Sequence, residues 1–137
     1  MASGRSMPVA PSGNVTGAGT PAAAIDAFMA AIKATDLQAL GAIWGTPNGP
    51  ARSQMDMTQL QQRELTMLCY LAHDSYAVLS DAPALHGTRT YAVQLKYQTI
   101  THVGQFDVGQ ASDGRYYVYS IKNFAEFQDV CARKKGG

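Results

Sequence analysis

The stretch ELTMLCYLAHDSYAVLSD sets Cys69, His73 and Asp74 within six positions of one another. These are residue types of nucleophilic catalysis, in which a thiolate attacks and a neighbouring base handles its proton. His73 stands four residues after Cys69, on the same face if the segment is helical. Cys69, however, falls near the carboxyl end of the helical pattern, where the dipole raises a thiol's pKa rather than lowering it. The chain holds only two cysteines, and the second, Cys131, lies close to its end. If the terminal turn returns beside that helix, a Cys69–Cys131 disulfide closes a long loop and stabilises the fold by about 3 to 4 kcal/mol. The disulfide is the favoured reading and the reactive thiol its alternative. A disulfide agrees with an oxidising compartment, periplasmic, cell-surface or secreted, with a cytoplasmic protein as the alternative.

Other candidates for chemistry are scattered. Asp26 borders the apolar stripe of the first helical segment, and Asp107 has the opposite parity to Phe106 and Val108. Carboxylates at such positions are generally solvated, so neither matches a catalytic motif. His102 shares its parity with Ile100 and Phe106, which makes it a polar group on an apolar face. Such a histidine is usually satisfied by a hydroxyl or carbonyl, with a general base as the sharper alternative. His73, His86 and His102 lack close ligand spacing, and no metal or other cofactor is expected. Tyr91, Tyr97, His102, Phe106 and Tyr117 would line a pocket for an apolar or flat molecule, with phenol groups to orient it. The same aromatic set would serve equally as plain core, and Trp44 reads as a packing anchor.

These residues must be positioned by helices followed by strands. Thr20-Pro21 is a helix start, and Ile25, Phe28, Met29 and Ile32 form one apolar stripe running to about Ala34. Thr35-Asp36 recaps a shorter helix with Leu37, Leu40, Ile43 and Trp44 on one face. GTPNGP, Gly45 to Pro50, reads as a loop because prolines and glycines leave little regular bonding. A third helix opens near Asp56 or Thr58, where Thr58 with Gln61 has capping-box spacing, and carries Leu60, Met67, Leu68 and Leu71 before ending around His73. The period then changes to two. Ser75–Leu79 reads as a short strand, SDAPALHG as a turn, and the run from Thr88 as a strand with Tyr91, Val93, Leu95 and Tyr97 inward. A strand over about Thr99 to Val108 carries Gly104 as a bulge or bend, SDG marks a hairpin, and Arg115–Lys122 returns with Tyr117, Tyr119 and Ile121 on one face. The outward residues Thr90, Gln94, Lys96 and Gln98 offer a possible homodimer surface. A last helical turn near Phe124, Phe127 and Val130 carries Cys131. Helices first and an antiparallel meander after them define an α+β domain.

A chain of 137 residues fits one domain, here 20–131, and can bury a real core. Lys and Arg number 11 against 10 Asp and Glu, so no basic footprint for nucleic acid exists. Of the 19 residues in ASGRSMPVAPSGNVTGAGT, 11 are Gly, Ser, Pro or Thr, and 1–19 reads as a flexible leader. Its composition is that of the tether behind a lipid-bearing cysteine, so contact with a membrane is expected only through a removed anchor. Residues 132–137 read as a frayed basic tail.

The opening AIDAFMAAIKATDLQALGAIWG resembles the first two helices of the nuclear transport factor two-like superfamily, and the similarity spans Pro21 to Phe127. IWGTPNGPAR and CYLAHDSYAVL are similar to uncharacterised exported bacterial proteins within it. The resemblance implies a cone, with the amino-terminal helices packed in the concave face of a strongly curved antiparallel sheet. It leaves activity open, because ketosteroid isomerases, dehydratases, epoxide hydrolases and transport adaptors share that fold. Isomerase chemistry would use His102 or Asp26 as base and a tyrosine as hydrogen-bond donor. The expected function is a non-catalytic exported domain that binds a small apolar molecule or a protein partner. A small lyase or isomerase and a structural homodimer are the alternatives.

Overall fold

The computed structural model describes residues 16–136. In chain order they form α1 (Pro21–Ala34), α2 (Leu37–Ile43), β1 (Gly45–Thr46), β2 (Gly49–Pro50) and α3 (Met57–Tyr70), then β3 (Ser75–Pro83), β4 (Arg89–Tyr97), β5 (Ile100–Gln110), β6 (Tyr116–Ile121) and α4 (Gln128–Gly136). Strands β3 to β6 make one antiparallel sheet in sequence order, and β1 pairs with β2 in a second, so the class is α+β.

Each early helix starts where a short polar side chain can take an orphan backbone N–H. Thr20 accepts from Ala23 at 3.1 Å, Asp36 from Ala39 at 3.0 Å and Asp56 from Gln59 at 2.8 Å. Asp56 is therefore the cap of α3, and the Thr58–Gln61 spacing falls inside the helix. The α1 stripe of Ile25, Phe28, Met29 and Ile32 is buried, and it packs on the face of the sheet that carries Tyr91, Val93, Leu95, Phe106 and Val118. Phe28 meets Phe106 edge-on with ring centroids 5.9 Å apart. Such a pair adds roughly 1 kcal/mol to the area it buries.

Several elements differ from their local pattern. GTPNGP is a minimal hairpin, Gly45 opposite Pro50 and Thr46 opposite Gly49. Gln54 clamps it: its amide donates to the carbonyls of Gly49 and Pro50, and its oxygen accepts from the Thr46 hydroxyl at 2.8 Å. The first long strand continues past Leu79 to Pro83, because a bulge between Val78 and Ser80 resets the period and Pro83 sits on an edge strand that needs no N–H there. Gly104 pairs regularly with Val93 rather than bulging. A Cβ there would lie 2.6 Å from the Phe106 ring and 3.2 Å from that of Phe127, so the glycine makes room for the Phe106 ring first and for Phe127 beside it. The irregularity lies instead between β5 and β6, where Asp107 pairs with Ser120 but Val108 with Val118. That skip turns Val118 inward and sends Tyr117 to the other face.

Residues 16–18, at the end of the segment read above as a leader, are tied to the sheet. Ala18 exchanges backbone hydrogen bonds with Tyr116, 2.9 Å each way, and Arg115 donates to the carbonyls of Thr16 and Gly17. Residues 1–15 and Gly137 lie outside the described residues. The basic residues Arg133, Lys134 and Lys135 belong to α4, and a Cys69–Cys131 disulfide fastens that helix to α3.

Candidate functional site

The five residues expected to line a pocket do not share one wall. Tyr91 and Phe106 are 3% and 0% exposed in the main core, and Phe28 of α1 packs on Phe106. Tyr97 is half-buried against the same core. Tyr117 points to the opposite side, where its hydroxyl donates to Asp113 at 2.6 Å, and burial with that carboxylate pushes the phenol's pKa up. His102 turns its Nε2 to Asp129, 2.8 and 3.0 Å from the two carboxylate oxygens, and sets its ring edge-on to Phe127. The imidazole holds the Asp129 carboxyl below its ordinary range.

The other candidates are also engaged. Cys69 is in the disulfide, so no thiol stands beside His73. His73 lies 3.0 Å from the Leu71 carbonyl through Nδ1, which places the proton there because a carbonyl only accepts. Its Nε2 is buried without a partner, and burial lowers the ring's pKa. Asp26 accepts the Tyr76 hydroxyl at 2.8 Å, and burial together with this bond raises the phenol to about 12. Asp107 accepts from Thr90 at 2.7 Å on the outer face, with the Lys122 ammonium 3.6 Å away.

Open space lies elsewhere. A cleft of about 420 Å³ runs between α3 and β6, with Trp44, Arg63, Met67, Tyr119, Ile121 and Phe124 in its walls. Local structure builds it: Arg63 and Met67 are one turn apart on α3, and Trp44 ends α2, where it bridges to Val118. Tyr119 stands at the β5–β6 irregularity, its hydroxyl donating to the Gln110 carbonyl at 3.0 Å. Gly109 admits that ring, since a Cβ would lie 2.4 Å from it. Phe124 stacks on Tyr70 with centroids 4.6 Å apart and planes 8° from parallel. The cleft is therefore an aromatic, mostly apolar slot with one guanidinium at its rim. It can hold a flat apolar body, and no paired acid and base face into it.

A second cavity of about 260 Å³ separates α2 from α3, and Glu64 is in its wall. The Glu64 side chain is 2% exposed, with its Oε2 lacking a partner. Burial, with Asp36 adding to it, raises the carboxyl from 4.5 to about 7. Sequence reasoning passed over Glu64, yet a signal existed. It lies four residues after Leu60 and four before Leu68, a charge in the middle of the apolar stripe of α3.

Comparison of the chain with family models, curated proteins and solved structures returned no match. Among the described residues no three His, Cys, Asp or Glu are grouped to hold a metal ion, and no helix is long and apolar enough to cross a membrane.

Proposed function

We propose that this chain is a non-catalytic binding domain, exported into an oxidising compartment, whose ligand is a small flat apolar molecule seated in the cleft between α3 and β6. The observation that carries the reading is the cleft itself: Trp44, Met67, Tyr119, Ile121 and Phe124 line open space with mostly apolar surface. Apolar clefts with a few fixed polar groups are the usual form of small-molecule sites. The Cys69–Cys131 disulfide supports export, because such bonds persist where thiols are not kept reduced. The order of helices before an antiparallel meander, with α1 on one face of it, supports the nuclear transport factor two-like cone. Lyase or isomerase chemistry draws less support, since His102 and Asp26 are each held by a side-chain partner and neither lines the cleft.

Trp44 is the only tryptophan in the chain and reports the site directly. Titration with naphthalene-1-sulfonate, a flat anion suited to the slot and to Arg63, should shift the indole resonance of Trp44 and its emission. Phe124→Ala should weaken that binding about tenfold, the worth of one aromatic contact of roughly 1.4 kcal/mol. A probe that binds without disturbing Trp44, or equally well to the variant, would remove this assignment.

A further inference from the structure

The cavity between α2 and α3 presents a different chemistry from the cleft. Its walls are largely apolar, from Leu37, Met57 and Leu60, and its polar groups include Arg52 and Glu64. Within that wall the Glu64 carboxyl is buried with Oε2 unpaired. A Cβ on Gly41 would lie 2.8 Å from that oxygen, so the absence of a side chain on α2 leaves the carboxyl its place. An ionised carboxylate with one oxygen unpartnered in such surroundings is disfavoured, so the position retains a positive species. When the cavity is empty that species is a proton.

Asp36, at the start of α2, adds negative potential at Glu64, and Arg52, from the turn before α3, also lines the cavity. Burial and Asp36 together raise the carboxyl to about 7, so it is held protonated on the acid side of neutrality. A metal ion would need several oxygen ligands, and one carboxylate among Leu37, Met57 and Leu60 does not provide them. A cation with an apolar body fits both features.

We propose that this cavity binds a small primary ammonium, its head on the Glu64 carboxylate and its hydrocarbon body against Leu37, Met57 and Leu60. The exchange balances simply: R–NH3+ enters charged, the Glu64 O–H gives its proton to the buffer, and an ammonium–carboxylate pair replaces the neutral acid. No other bond changes.

The test uses 2-phenylethylammonium as probe, with 2-phenylethanol as the neutral analogue and 3-phenylpropionate as the anionic one. Calorimetry at pH 6, in two buffers of different ionisation enthalpy, should show nearly one proton released per ammonium bound, falling towards zero at pH 8. The ammonium should bind more tightly than either analogue, and Glu64→Gln should lose at least tenfold of its affinity. Met57 is 68% exposed at the rim, so Met57→Arg leaves the interior intact. It should weaken the ammonium, which the added cation repels, by more than it weakens the alcohol, which loses only the apolar contact. Equal affinity for ammonium and alcohol would reduce the site to an apolar hole and overturn the proposal. Preference for the propionate, absence of proton release, unchanged affinity in both variants, or no binding of the ammonium would overturn it as well.

Discussion

Glu64 and His73 are both buried with one polar atom unpaired, and in both burial disfavours the charged form. Their effects on stability run in opposite directions with pH. The Glu64 carboxyl is raised from 4.5 to about 7, so the stabilising neutral form is fully present below pH 4.5 and lost as pH rises to about 7. The His73 ring is lowered from 6.5, mainly by burial, with the Lys33 charge adding and the Leu71 and Asp74 contacts opposing. Its contribution is complete above pH 6.5 and lost as pH falls through the depressed value. Thermal melts of Glu64→Gln should therefore lack the decline between pH 4.5 and 7, with a gain of about 1 to 3 kcal/mol at pH 8 from removing an unpaired buried carboxylate. His73→Asn keeps a donor for the Leu71 carbonyl and should remove the acid-side loss, though it gives up the edge-on contact with Tyr76. Melting curves of either variant that parallel wild type at every pH would contradict these assignments.

Elements are joined by a few long-range fastenings. The disulfide holds α4, whose buried Val130 and Cys131 face α3 and the core, to the rest of the chain. Intact mass after alkylation should show two modified thiols only when reductant is added first. The double variant Cys69→Ser, Cys131→Ser should lose about 3 to 4 kcal/mol in denaturant unfolding. Alkylation without reductant in oxidised protein would remove both the fastening and the export argument. Strand β3 is the free edge of the sheet, and all of its nine residues are exposed. Its bulge, Asp81 and Pro83 are devices that discourage pairing with another chain, which leaves Val78 and Leu79 exposed without making that edge a docking strand.

At the scale of the molecule, the core is closed by side chains that meet across glycine backbone. Gly104 is the clearest case. Gly104→Ala would drive a Cβ to 2.6 Å from the Phe106 ring and to 3.2 Å from Phe127, and should cost roughly 1 to 3 kcal/mol as overpacking. A melt unchanged from wild type would show that the Phe106 and Phe127 rings can move aside.

The sequence by itself determined the helices, their Thr20 and Asp36 starts, the inward face of β4 and the class of fold. Those features follow from caps, breakers and apolar period, which act within one turn or one pleat. It also pointed to the two cysteines as partners, because two thiols in one chain leave a single pairing. Only the tertiary structure decided where space remains. Periodicity reports which face of an element is apolar, but not which neighbour covers it. Tyr91 and Phe106 were legible as inward and turned out to be closed core, Phe106 beneath Phe28 of α1. Tyr117 changed faces through a skip in register that depends on the partner strand, and Ala18 found Tyr116 across the length of the chain. Glu64 broke its helical stripe visibly in the sequence. That its carboxyl borders a cavity beside Gly41 required α2 and α3 to be brought together, which no local pattern specifies.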